Sequence, residues 1–264
     1  MSLAADPDPG ALLTEADRLA DLGNWVKAGP LYAQAEQQFH SRGDVRQELY
    51  AKFGRLHRDI ETGSYSAVGE ELENDLQDPA IQSDPRLHIR ALSLKGFIDL
   101  NTNTAAAQEE FSQILALARS INDRKWANRA SGQLGIIAGI NGDIGSAGMA
   151  LFKAMNTASA LHDVAGEISF ATWLANGMAV HGMADRAVSL LDHPFELARQ
   201  NADAGFPVQL YIAKIRALIL LPEGGKMNGR TEAKRLIGQA LAYARENNIP
   251  VSYTHLTLPT KRIV

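Results

Sequence analysis

The stretch Gly142-Asp143-Ile144-Gly145-Ser146-Ala147-Gly148-Met149-Ala150-Leu151-Phe152-Lys153-Ala154 decides the fold. A glycine opens it, and Ala147, Leu151 and Ala154 follow at spacings that share one face of a helix. The same pattern stands elsewhere in the chain. Gly23-Asn24-Trp25 leads to Ala28, Tyr32 and Ala35, and Gly182 leads to Ala187 and Leu191 on the same offsets. The turn slot holds Gly23, Gly63, Thr102, Gly142, Gly182 and Asn228, giving spacings of 40, 39, 40, 40 and 46. Five positions later stand Ala28, Val68, Ala107, Ala147, Ala187 and Ala233. Glycine at the turn permits a left-handed backbone between two helices. The small residue lets the following helix approach its neighbour, while Tyr32, Leu72, Phe111, Leu151, Leu191 and Ile237 fill the space beside it.

A helical unit repeated at this period predicts an all-α solenoid of antiparallel helix pairs, about six by the turn slots, whose usual product is a binding surface. The pairs are read at 11–42, 45–78, 86–121, 124–161, 165–201 and 207–247. Ser41-Arg42-Gly43-Asp44 and Ile121-Asn122-Asp123-Arg124 read as the turns between units. Residues 1–10, rich in Asp and Pro, read as a disordered lead before a repeat domain over 11–249. Asp78-Pro79 to Asp84-Pro85 reads as a looser loop, because each proline biases its predecessor away from helix. Pro222 to Gly229 reads as an enlarged turn. Pro30 is placed in the first turns of its helix, where a missing donor costs least, and Pro194 breaks the fifth unit.

On these residues the chain resembles the tetratricopeptide repeat family. The fourth unit matches most fully, with Leu134-Gly135 ahead of Gly142, Ile144, Ala147, Leu151 and Ala154. The first unit follows, from Ala16 through Gly23, Trp25, Ala28, Tyr32 and Ala35. Thr102 in the turn slot, and Asp75 and Ile114 in the second small slot, depart from the pattern. The period is longer than the family's usual one and is similar to that of bacterial regulatory proteins carrying such repeats beside an effector domain. The resemblance implies a right-handed superhelix whose first helices line a concave groove. It also implies a protein-interaction scaffold, the docking or sensing arm of a larger regulator. A caspase-like CHAT protease, kinase, cyclase or DNA-binding module would then lie in a missing C-terminal part. A free-standing adaptor with no effector is the alternative.

In that register, residues about 13, 10, 9 and 6 positions before each turn face the groove and a protein or peptide ligand. They are Tyr50, Phe53 and His57 in the second unit, Arg129 and Gln133 in the fourth, and Thr172, Trp173 and Asn176 in the fifth. Aromatic and arginine side chains suit such anchoring by buried area and forked hydrogen bonding. Packing of Phe53 and Trp173 between units is the alternative. The family's basic-and-Asn clamp for carboxylate tails is not reproduced.

Residues 251–264 follow no earlier pattern. Val251 to Thr260 back-translates to a string that resembles a sequencing adapter read in frame, so residues 250–264 are read as a non-native tail and the natural protein is expected to continue. A genuine strand-like extension is the other reading. Without Lys261 and Arg262 the 26 basic residues become 24 against 30 acidic, and the formal charge of −4 becomes −6. That balance, with no concentrated basic face, argues against nucleic-acid binding by the repeats. The longest apolar run, Ala217 to Leu221, is too short for a membrane. No cysteine is present and no secretory signal pattern opens the chain, which fits the cytoplasm.

Catalytic and cofactor motifs find no support. His40, His57, His88, His162, His181 and His193 lack metal-ligand spacing, and His162 and His193 are placed at helix ends, where an imidazole favours the dipole. Gly224-Gly225-Lys226 lacks the remainder of a phosphate loop. Gly142, Gly145 and Gly148 lack the strand of a nucleotide fold, and close helix packing is the expected reason for them. Ser64 and Ser66 do not form a nucleophile elbow. Glu70/Glu71 and Glu109/Glu110 are read as helix-start acids. The residues present are expected to carry no catalytic, metal or cofactor site; the oligomeric state is left open.

Overall fold

The computed structural model describes residues 7–61, 65–222 and 229–246. The turn-slot residues Gly63 and Asn228, the glycine-lysine segment at 224–226, and the tail from 247 onward lie outside these. Among the described residues every regular element is helical and no strand occurs. The chain divides into two compact units, Met1–Ile121 and Asn122–Val264.

The first unit contains α1 (Pro9–Asp21), α2 (Trp25–Arg42), α3 (Val45–Glu61), α4 (Tyr65–Asp75), α5 (Pro79–Ser83), α6 (Pro85–Asp99) and α7 (Thr104–Ser120). Here α1 packs on α2, α2 on α3, α3 on α6, and α6 on α7. The second contains α8 (Arg124–Ile140), α9 (Ile144–Ala160), α10 (Val164–Val180), α11 (Ala184–Leu190), α12 (Asp192–Gln200), α13 (Val208–Ile219) and α14 (Gly229–Glu246). In it α8 packs on α9, α9 on α10, α10 on α11 and α13, and α13 on α14. Within each unit, turns of a few residues bring the long consecutive helices back against one another.

Six of the described turns share one device. A left-handed residue ends a helix: Gly23, Gly43, Gly142 and Gly182 at φ of 70 to 90°, with Asn122 at 57° and His162 at 54°. The next residue reaches back with its N–H to the carbonyl five positions earlier, as Asn24 does to Leu19 at 2.8 Å, Asp143 to Ala138 at 2.9 Å and Asp163 to Ala158 at 2.9 Å. Its side chain then caps the helix that follows. Asn24 accepts from Lys27 N–H, Asp123 from Trp126, Asp143 from Ser146 and Asp163 from Gly166. One residue therefore closes one helix and opens the next. Thr102, β-branched and disfavoured at positive φ, builds a different turn, in which Asn103 N–H donates to Asp99 O at 2.7 Å.

Met183 occupies the same capping position before α11 and makes no side-chain cap. Met183→Asp is expected to stabilise the fold by about 1 kcal/mol, read as a raised urea midpoint with unchanged slope. No increase would show that α11 gains nothing from the missing acceptor.

The repeat register is the core. Ala28, Val68, Ala107, Ala147, Ala187 and Ala233 are all buried, and so are Tyr32, Leu72, Phe111, Leu151, Leu191 and Ile237. This holds even where the turn residue itself is not described. Of the departures, Ile114 is fully buried, and Asp75 accepts from Lys52 Nζ at 3.0 Å.

Several expectations are corrected. Pro9 and Gly10 already belong to α1, capped by Asp8 accepting from Ala11 N–H. The Asp78–Pro85 segment is not a loose loop but the short helix α5 and the start of α6. Pro79 and Pro85 stand at first-turn positions behind the caps Asp78 and Asp84, and Ile81 is fully buried. Pro30 lies inside α2, which runs through it. The fifth unit is broken as expected, its second helix splitting into α11 and α12 at Leu191.

Gly145 and Gly148 are not required by packing within the chain. A Cβ at Gly148 would meet nothing within 4 Å, and at Gly145 only Asp143 Oδ1 at 3.9 Å. Glu110 is no helix-start acid either. It is buried in α7 and takes Lys95, which also reaches Asp99 Oδ2 at 2.5 Å. Burial, joined by Asp99 and opposed by Lys95, pushes Glu110 up to about 7.

Candidate protein-binding surface

The eight residues read as groove anchors fall in both units. In the first, Tyr50 on α3 is tied down. Its hydroxyl donates to Asp17 Oδ2 at 2.9 Å, and the Arg90 guanidinium lies 3.9 Å from its ring centre. Tyr32 donates to the other oxygen of Asp17 at 2.5 Å, and Arg90 donates to that same oxygen at 3.5 Å. Burial, with Asp17 adding and Arg90 opposing, pushes Tyr50 up to about 12. The cluster joins α1, α2, α3 and α6 through groups whose polar atoms satisfy one another.

Phe53 is 1 % exposed and belongs to the core beside Leu56 and Leu87. It presents no side chain to a ligand, because its position on α3 faces the packed interior. His57 stacks on Trp25 with ring centres 3.8 Å apart and meets the edge of Phe97 at 5.6 Å. A cleft of about 620 Å³ has Tyr50 and Asp17 in its wall and the starts of α1, α3 and α6 around it. Two of its three arginines face aspartates, Arg46 with Asp84 at 2.5 Å and Arg42 with Asp8 at 3.7 Å, so it presents no single sign of charge.

In the second unit Arg129 grips Asp163, whose side chain is fully buried, through Nε at 2.9 Å and Nη2 at 2.7 Å. This arginine holds α8 to the start of α10 and is not a free fork for a ligand. Thr172 is buried, its hydroxyl donating to Ile168 O at 2.7 Å as serine and threonine side chains do inside helices. Trp173 is 41 % exposed. Asn176 Oδ1 accepts from Arg216 Nη1 at 3.3 Å, a link between α10 and α13. Gln133 Oε1 is buried without a hydrogen-bond partner. Trp173 and Gln133 are 40 residues apart, one repeat, on the packed helices α8 and α10.

Of the histidines expected at helix ends, His162 is a left-handed turn residue after α9. His193 lies in the first turn of α12, the wrong end for a cation, and its Nε2 sits 3.0 Å from Glu167 instead. Among the described residues no three metal-ligating side chains of His, Cys, Asp or Glu come together, and no helix is long and apolar enough to cross a membrane.

Sequence reading missed Asp17, Arg90 and Arg216. Arg216 was within reach, standing one 40-residue step from Asn176. It also missed the concentration of exposed apolar side chains in the second unit. Ile140, Val180 and Leu220, at 40-residue spacing beside the helix turns, are 48, 64 and 48 % exposed.

No protein-family model matches the sequence, and no curated protein matches it. Among solved structures the chain is similar to a crystal structure from Pyrococcus horikoshii, described as a signal transduction ATPase with numerous domains (STAND) protein with a tetratricopeptide repeat sensor. The TM-score is 0.55 at 15 % identity, and the likeness covers 94 % of this chain and 37 % of that one. At this identity the likeness speaks for the fold, a tetratricopeptide-like helical repeat.

Proposed function

We propose that this chain is a protein-binding repeat arm, the docking or sensing part of a larger regulatory protein whose effector lies elsewhere. The observation that carries the reading is Trp173, a large aromatic left 41 % exposed at a position read as facing the groove. Such a side chain supplies an anchor of large area at low entropic cost. Around it on the repeat stand Gln133, with its unpartnered oxygen, and the Asn176–Arg216 pair. The ligand is a protein or peptide that lays an apolar residue on the indole. The similar structure supports the wider reading, since its repeat is described as a sensor within a multidomain protein and this chain spans 37 % of its length.

The test compares immobilised protein with its Trp173→Glu variant in capture from lysate, with circular dichroism as a control. Loss of the captured proteins at unchanged helicity is the expected result, and identical capture by both would overturn the surface assignment. Arg129→Glu is no substitute, because it would set a second carboxylate against Asp163 and report on folding. Reading the source DNA past the Pro250 codon tests the rest. An encoded effector domain supports the arm, and a stop after one more amphipathic helix makes the protein a free-standing adaptor.

A further inference from the structure

The outward face of α9 has a composition unlike a solvated helix. Its 17 residues carry one charge, Lys153, and two of its large apolar side chains stand in solvent, Met149 at 72 % and Phe152 at 56 % exposed. Ile144 at the start of the helix and Ile140 just before the turn are also exposed, at 46 and 48 %. Exposed apolar groups gathered on one face mark an interaction surface more often than scattered ones do.

The glycines sharpen the observation. Gly135 is used internally, since a Cβ there would come within 2.8 Å of Ala150. Gly145 in the first turn and Gly148 in the interior, where glycine weakens a helix, have no such reason among the described residues. Each lies one helical turn before an exposed knob, Gly145 before Met149 and Gly148 before Phe152, so knobs and notches share one face.

We propose that this face docks a second copy of the same chain, α9 against α9 in antiparallel fashion about a two-fold axis. With the axis crossing between Gly148 and Met149, Met149 stands opposite Gly148 of the second copy and Phe152 opposite its Gly145. Each contact is then made twice, as an isologous interface requires. The pattern is self-complementary: two projections and two notches on each helix, equally spaced and in reversed order. The charges agree as well. In this register Lys153 falls beside residues 142–146 of the second copy, whose one charged residue is Asp143, of opposite sign. A helix of this length is about 25 Å long. A single helix pair buries less than the ~800 Å² per partner of a standard interface, so the dimer is reversible and concentration-dependent.

Sedimentation velocity over a concentration series of the intact protein is the test. A monomer–dimer equilibrium is expected, and Met149→Glu with Phe152→Glu should weaken it about a hundredfold or more at unchanged circular dichroism. Gly145→Ala with Gly148→Ala separates interface from fold, since it should raise thermal stability while weakening the dimer. The chain has no cysteine, so Met149→Cys beside the axis should give a disulfide-linked dimer on oxidation, and Ser159→Cys should not. A wild-type monomer at every concentration overturns the proposal. So do a dimer indifferent to the glutamate pair, and a face that captures another protein without self-association.

Discussion

Phe170→Ala is expected to destabilise the second unit by about 3–5 kcal/mol, and Gly132→Ala to do so by about 1–3 kcal/mol or more. Phe170 on α10 is 2 % exposed, and its ring fills the place a side chain at Gly132 on α8 would occupy. A Cβ there would stand 2.1 Å from Phe170 Cε1 and 2.3 Å from Cζ, so either the ring moves or the helices part. The two effects should not add. Once the ring is gone the Cβ at 132 has room, fills part of the cavity and improves the helix, so Gly132→Ala should turn from harmful to helpful in the Phe170→Ala background. Urea denaturation of the four proteins in the cycle measures this. Additive losses would mean that Gly132 is held by something other than this ring. The first unit uses the device twice, with Tyr32 against Gly54 and Phe111 against Gly96.

Helical repetition was legible because it is a property of spacing. A buried Ala five residues beyond a turn, and a bulky residue four beyond that, report one helix face whatever the neighbours do, and all six registers proved buried. The turns were legible for a similar reason, since Gly23, Gly142 and Gly182 occupy the backbone region that glycine alone enters freely. Asp78–Pro85 misled because proline has two local meanings. It biases its predecessor away from helix, yet it also suits a helix's first turn. The aspartates before Pro79 and Pro85, both able to cap, favoured the second meaning.

Surface residues were less legible because a position on the groove side says nothing about what the side chain meets. Phe53 and Thr172 stand ten positions before their turns and are 1 and 3 % exposed, while Trp173, one position further on, is 41 % exposed. Arg129 had the right type for recognition and spends it on Asp163. Tyr50 is held by Asp17, distant in sequence, and by Arg90, one 40-residue step away. Gly145 and Gly148 were assigned to internal packing, which a glycine beside small residues invites. Among the described residues only Asp143 Oδ1, 3.9 Å from a Cβ at Gly145, comes near either of them.

Asp163→Ala is expected to cost about 3 kcal/mol, because removing one partner of a largely buried ion pair leaves the other charge desolvated. Asp163 does three things at one point. Its N–H closes α9 on Ala158, its Oδ1 caps α10 at Gly166, and both oxygens take Arg129. Gly166 answers it, since a Cβ there would lie 2.5 Å from Asp163 Oδ2. Arg129 is a quarter exposed, so water recovers part of the loss, and the cap contributes about 1 kcal/mol of the total. Burial alone would raise the carboxyl. The hydrogen bonds and charge of Arg129, with Lys125 and the Gly166 N–H adding, outweigh it and hold the group below the usual carboxylate range. A carboxyl depressed by folding stabilises above its unfolded value, and that contribution fades as pH falls through the folded value. Wild-type stability should therefore drop on acidification below about pH 4 by more than that of Asp163→Asn, which keeps a capping acceptor but no charge. Glu110, raised by burial, gains stability on acidification and acts equally in both proteins, so the difference between the two curves isolates Asp163. Parallel curves would mean that Arg129 and Asp163 interact no more strongly in the fold than in the unfolded chain.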